Sequence, residues 1–199
     1  KAFYPASFCL ILLFSIRRNM AEPVLAIETP ADGKNDTMNC RFYENLYPSA
    51  EELVLVKVTD VGDMGAYAKL LEYNDMEGFI LLPEMGRRRV RSKATRLKVN
   101  RLEVVRVIRV DMEKGYIDLS KRTVGPEDIE KCHAQYNKAK AVHSVLSHVA
   151  KSNDMRLEDL CAKVGWPLYA KFGHAYDAFK IALNMDAEEP TDIFAGLDV

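Results

Sequence analysis

Leu53-Val54-Leu55-Val56-Lys57-Val58-Thr59-Asp60-Val61-Gly62-Asp63-Met64-Gly65-Ala66-Tyr67-Ala68-Lys69-Leu70-Leu71-Glu72 is the stretch that decides the fold. Two runs rich in β-branched and apolar residues, Leu53 to Val58 and Ala66 to Glu72, flank a connection with two glycines. Gly62 and Gly65 can take the positive φ that a tight link between paired strands requires. Working outward, Gly78 to Leu82 reads as a third strand, Val104 to Val110 as a fourth and Tyr116 to Leu119 as a fifth. The last two are joined by Asp111-Met112-Glu113-Lys114-Gly115, a hairpin turn with glycine at its left-handed position. Five short strands of this kind predict a five-stranded oligonucleotide-binding barrel.

The period changes to a helical one after Val124. Gly125-Pro126-Glu127-Asp128 places proline in a first helical turn with two acids behind it, where the missing N–H costs nothing and the helix dipole favours negative charge. Ile129, Cys132, Tyr136, Ala139, His143, Leu146 and Ala150 then recur at three or four residues as one buried stripe. Asn153-Asp154 is expected to cap a second helix carrying Leu157, Leu160, Cys161 and Val164 and stopped by Gly165. A short element at Trp166 to Phe172 and a helix at Ala175 to Leu183 complete an all-α part. The organisation expected is therefore a leader at 1–38, a barrel at 39–124 and a helical domain at 125–199.

With 199 residues, 48% of them hydrophobic, the chain can bury one or two cores. Its net charge of −1 gives no bulk attraction to nucleic acid or membrane, but the charge is unevenly placed. Between Arg87 and Arg109 ten basic residues face one acid, so a segment of net +9 sits in a chain otherwise at −10. Cys9, Cys40, Cys132 and Cys161 form no CxxC pair, which argues against a zinc module or a disulfide scaffold and fits a reducing, cytoplasmic setting. The apolar run Phe8 to Ile16 is too short to span a bilayer, and Arg17 and Arg18 follow it rather than precede it. Residues 1–19 are read as preceding a natural start at Met20.

Catalytic chemistry finds no foothold. His133, His143, His148 and His174 lack metal-ligand spacing, and no nucleophile elbow, phosphate loop or paired-carboxylate arrangement occurs, so no enzyme, metal or cofactor is expected. The dense cations Arg87, Arg88, Arg89, Arg91 and Lys93 are instead the candidate nucleic-acid contacts, hanging from a barrel class that binds oligonucleotides. Tyr67, Tyr73, Phe79 and Tyr116 are candidate base stackers, with Phe79 the one expected to be most buried.

A set of motifs in order carries a resemblance. Cys40-Arg41-Phe42-Tyr43, Met64-Gly65-Ala66-Tyr67, Leu70-Leu71-Glu72-Tyr73-Asn74, Ile80-Leu81-Leu82, Arg87-Arg88-Arg89-Val90-Arg91-Ser92 and Glu113-Lys114-Gly115-Tyr116-Ile117-Asp118-Leu119-Ser120-Lys121-Arg122 closely resemble the amino-terminal half of the alpha subunit of eukaryotic translation initiation factor 2. In the helical part, Ser144-Val145-Leu146, His148-Val149-Ala150 and Tyr176-Asp177-Ala178-Phe179-Lys180 are similar too. The resemblance implies an S-one-type barrel and a helical domain. It implies a place in the complex that brings initiator methionyl-tRNA, with GTP bound to the gamma subunit, to mRNA on the small ribosomal subunit. Partners implied are the beta and gamma subunits, the factor's nucleotide exchange factor and the stress kinases. The family's gamma-docking domain is not in this sequence, so the chain is read as a fragment.

One position departs from the family. Where relatives carry the regulatory serine before the arginine triplet, this chain has Gly86, which offers no hydroxyl to a kinase. The turn Lys114-Gly115-Tyr116-Ile117-Asp118, by which the family and viral decoys dock on those kinases, is intact. Two readings follow from the resemblance: a working subunit insensitive to the stress kinases, favoured for its retained arginine segment and helical part, and a decoy that occupies the kinase without being modified. Ser92, preceded by Arg87 and Arg89, is a candidate replacement phosphosite.

Overall fold

The computed structural model describes residues 40–86 and 97–183. The expected leader at 1–38, the cations Arg87, Arg88, Arg89, Arg91 and Lys93, and Ser92 lie outside the described residues. The strands are β1 (Leu53–Val61), β2 (Gly65–Leu70), β3 (Met76–Leu81), β4 (Leu102–Asp111) and β5 (Tyr116–Ser120), with a 3-10 turn, Leu82–Glu84, after β3. They close in the order β1-β2-β3-β5-β4, antiparallel except for the parallel β3–β5 pair. This is the five-stranded barrel that the strand count predicts. Bulges between Val58 and Asp60 in β1 and between Val107 and Arg109 in β4 give these two long strands the bend a small barrel needs.

Alternation fills the barrel. Val54, Val56, Val58, Ala66, Ala68, Leu70, Ile80, Val105, Val107, Ile117 and Leu119 form its inner core. Leu53 to Val58 reads as a nearly continuous apolar run because its other face is covered as well: Leu55 and Val104 pack with Cys132 and Tyr136 from the start of the first helix. Contacts divide the described chain into two compact units, residues 41–136 and residues 137–183 with Cys40. The opening turns of that helix thus belong to the barrel unit.

The helices are α1 (Pro126–Ser152), α2 (Leu157–Leu160), α3 (Trp166–Phe172) and α4 (Ala175–Leu183). The Gly125 N–H donates to the Asp128 carboxylate at 3.0 Å, closing the start of α1, and Arg106 adds a 3.2 Å contact. These bonds, the backbone one first, hold the Asp128 carboxyl below its ordinary range. The second unit buries Val142, Val145, Leu146, Val149, Leu157, Leu160, Val164, Leu168 and Phe179.

Three expectations for the helices are corrected. Ile129, assigned to the buried stripe, is exposed, while Val142, Val145 and Val149 widen that stripe. Asn153 and Asp154 end α1 rather than start α2: both the N–H and the side-chain amide of Asn153 donate to the Val149 carbonyl, and Asp154 sits at φ 56°. The first residue before α2 is Arg156, which makes no side-chain cap. Gly165 stops nothing. α2 runs through a π turn, Cys161–Gly165, into α3, with the Trp166 N–H donating to the Cys161 carbonyl. A Cβ at Gly165 would stand 3.0 Å from a Leu146 methyl, so glycine is there for close packing; the real stop is Gly173 at φ 74°.

Candidate nucleic-acid interface

Side chains at odd positions in β2 and β3 face out of the barrel. Tyr67 and Phe79 are register partners whose ring centroids lie 5.0 Å apart at 53°. Phe79 lies across Gly65, where a Cβ would come within 2.4 Å of both its ring and the Ile80 carbonyl. Tyr67 is 49% exposed and Tyr116, two strands away, 68%. The expected order of burial among the aromatics is reversed. Phe79 is only partly buried, because Gly78 and Ile80 take the inward positions of β3. Tyr73 is the buried one: it lies in the turn after β2, packs against Tyr43 and donates its hydroxyl to Glu52 at 2.7 Å.

The rings open onto a concave pocket of about 550 Å³, lined also by Arg109, Lys114 and Asp118. Its outer wall is the β4–β5 hairpin. Gly115 stands at φ 69° with its N–H on the Asp111 carbonyl at 2.8 Å, and the Asp111 carboxylate accepts the N–H groups of Glu113 and Lys114, each at 3.1 Å. So held, Lys114, Gly115 and Tyr116 are exposed and Asp118 is half-buried, while Ile117 points into the barrel core. Glu77, Asp111 and Asp118 also line the pocket, against the two cations Arg109 and Lys114. The pocket is therefore of mixed charge, and three rings, Tyr67, Phe79 and Tyr116, are its main apolar surface.

The basic segment leaves and re-enters the barrel at fixed points. Met85 is 2% exposed and Leu97 3%, both inside the barrel core, and Gly86 follows Met85 partly buried. Glu84 fastens the outgoing end: its carbonyl accepts the N–H groups of Lys121 and Arg122 at 2.9 and 3.0 Å, and its carboxylate accepts the Ser120 hydroxyl at 2.7 Å. Composition gave no sign of this clamp. Glu72 was missed as well. It reads as a strand end but is buried in a turn, accepting from the Tyr43 hydroxyl at 3.0 Å and the Leu55 N–H at 3.4 Å, and burial pushes its carboxyl up to about 7.

Among the described residues no three His, Cys, Asp or Glu side chains are grouped to hold a metal, and no helix is long and apolar enough to cross a membrane. His143 is a core histidine, its Nε2 3.2 Å from the Cys40 carbonyl, and burial holds its pKa below the ordinary value.

Residues 47–122 match the S1 RNA binding domain, which puts the barrel in the S1 class. The chain is 52% identical over 160 residues to the eukaryotic translation initiation factor 2 subunit alpha homolog of Arabidopsis thaliana, covering 80% of this chain and 45% of that one. It is 50% identical over 169 residues to eukaryotic translation initiation factor 2 subunit 1 of Plasmodium berghei, covering 85% and 51%. The crystal structure of the a/eIF2alpha-aDim2p-rRNA complex from Pyrococcus horikoshii aligns with a TM-score of 0.66 at 30% identity, over 75% of this chain and 87% of that one. The chain belongs to the family of the alpha subunit of translation initiation factor 2. It spans about half the length of the curated relatives it matches.

Proposed function

We propose that the chain is the RNA-contacting portion of an initiation factor 2 alpha subunit, stacking bases on the outer face of its barrel and drawing phosphates with its basic segment. The observation that carries this is the exposed Tyr67–Phe79 pair beside Tyr116, on the strand face and hairpin that oligonucleotide-binding barrels use. Ring stacking contributes roughly 1–3 kcal/mol per base whatever the base. Arg87, Arg88, Arg89, Arg91 and Lys93 supply the counterion-releasing charge that the mixed-sign pocket lacks. In this reading the chain works in the cytoplasm with the beta and gamma subunits, initiator tRNA, mRNA and the small ribosomal subunit. Binding of a labelled oligouridylate tests it. Alanine at Arg87, Arg88, Arg89 and Arg91 should flatten the salt dependence, and Tyr67→Ala with Tyr116→Ala should weaken binding at every salt concentration. Unchanged affinity and slope in both would refute it.

A second reading rests on Gly86 and the exposed hairpin. A chain that presents Lys114, Tyr116 and Asp118 but has no hydroxyl at position 86 would act as a pseudosubstrate, holding the family's stress kinases without being modified.

A further inference from the structure

We propose that the helical unit carries a second contact for single-stranded RNA, in which the Tyr176 ring takes a base while Lys138, Lys180 and the ring N–H of His174 take the flanking phosphates. The groups come from two helices. Lys138 of α1 and Lys180 of α4 hold their ammonium nitrogens 5.8 and 5.0 Å from the centroid of the Tyr176 ring. The His174 ring stands edge-on to it at 6.4 Å and 4.9 Å from Tyr169. Cations interleaved with ring faces are what single-strand binders use, because every base has a π face and every linkage a charge.

His174 supplies the sharper argument. Its Nδ1 accepts the Tyr176 N–H at 3.1 Å, so in the neutral ring the proton sits on Nε2. Nε2 is buried and meets no acceptor among the described residues, which leaves a donor without the partner that buried polar groups ordinarily find. Burial, then the neighbouring Lys138, holds the imidazole below its ordinary pKa, so it stays a neutral donor at neutral pH. A phosphate oxygen would satisfy it once the side chains that cover it move aside, the nitrogen having no exposed surface in the free chain.

Among the described residues the carboxylate paired at the patch is Asp177, 3.7 Å from Lys138, in a pair whose side chains are both more than 40% exposed and therefore weakly bound. Lys180 pairs with no carboxylate among the described residues. Both lysines have flexible stems, so an incoming base can take the ring face as the ammonium groups move to phosphate.

The test uses the whole chain and fluorescein-labelled dodecauridylate, read by anisotropy over a potassium chloride series. K138Q with K180Q should weaken binding about five-fold or more and lower the slope of log affinity against log salt by about 1.4, two single-strand phosphate contacts. Y176L should weaken it by a similar factor, whereas Y176F keeps the ring and should not. The imidazole Nε2 resonance of His174 should shift on adding the oligonucleotide. The barrel is separable: with Tyr67→Ala and Tyr116→Ala in place, K138Q with K180Q should still cut the remaining affinity, so either RNA surface can fail alone. Unchanged affinity and slope in K138Q with K180Q, with melting curves showing a folded chain, overturns the proposal. So does binding of a phosphoserine peptide, but not of dodecauridylate, to this patch.

Discussion

The Ser120 hydroxyl donates a 2.7 Å hydrogen bond to the Glu84 carboxylate, joining the end of the last barrel strand to the turn from which the basic segment departs. Ser120 is 1% exposed, and among the described residues it is one of two buried polar side chains, Glu72 being the other. Hydrogen bonds to a charged group contribute about 1.5–3 kcal/mol. Ser120→Ala should therefore lower stability by about 1–2 kcal/mol in urea unfolding, part of the bond being replaced by Arg122, whose guanidinium lies 4.0 Å from the other Glu84 oxygen. RNA affinity should fall less than when the arginines themselves are removed. A stability unchanged by Ser120→Ala would show that the turn is held by its backbone bonds alone.

Gly65→Ala should disturb structure and site together. The new methyl would meet the Ile80 carbonyl at 2.4 Å, a backbone atom that cannot swing away, and the Phe79 ring at the same distance. Overpacking of this kind costs about 1–3 kcal/mol. Displacing Phe79 should also weaken oligouridylate binding, which Gly62→Ala, with its nearest neighbour atom at 3.6 Å, should leave alone. Melting temperatures and anisotropy titrations of the two variants check this directly.

Glu72 gives the barrel unit a pH dependence of definite sign. Its carboxyl is raised by burial from an ordinary 4.5 to about 7, so the folded state binds the proton more tightly than the unfolded one. Stability from this group is fully present below pH 4.5 and is lost as pH rises to about 7, a change on the order of 3 kcal/mol. Glu72→Gln cannot ionise and should remove this component. Compared by urea unfolding at pH 5 and pH 8, the wild-type chain should lose more stability on going to the higher pH than the variant does. Equal losses would mean that Glu72 is already charged at pH 5.

For the pseudosubstrate reading, a kinase assay decides. The chain should take no phosphate at position 86, and in excess it should compete with the normal substrate for the kinase. Tyr116→Ala or Asp118→Ala should relieve the competition by ten-fold or so, about the 1.4 kcal/mol expected of a contact at the centre of a docking surface. Gly86→Ser restores the hydroxyl and should allow labelling. Failure to compete even at large excess leaves the subunit reading in possession.

The strands were legible because β-branched runs are local signals, as is the left-handed glycine Gly115, and the helix start at Pro126 was legible for the same reason; Gly62 and Gly65, expected to take positive φ between β1 and β2, do not, and Gly65 is instead the first residue of β2. What failed depended on neighbours distant in the chain. Asn153 and Asp154 suit either end of a helix, and only the free carbonyl of Val149 decides which. Gly165 looks like a breaker until Leu146 is seen against it. Tyr73 fell in a turn because β2 ends at Leu70, Phe79 faces out because Gly78 and Ile80 take the inward places of β3, and Glu72 stands in an apolar run that says nothing of what will cover it. The basic segment announced itself by charge alone, whereas the Lys138–Tyr176 contact joins residues 38 positions apart and left no local trace.

The stems at Met85 and Leu97 mean that the chain's covalent path through 87–96 is not what keeps the barrel closed. β1 pairs with β4 and β3 with β5 across that interval, and Glu84 bonds Lys121 and Arg122 across it too. A protease cutting after one of its arginines would thus leave two fragments that stay associated as one barrel and part only on denaturation. The segment richest in trypsin sites is the one whose cleavage the fold is best arranged to survive.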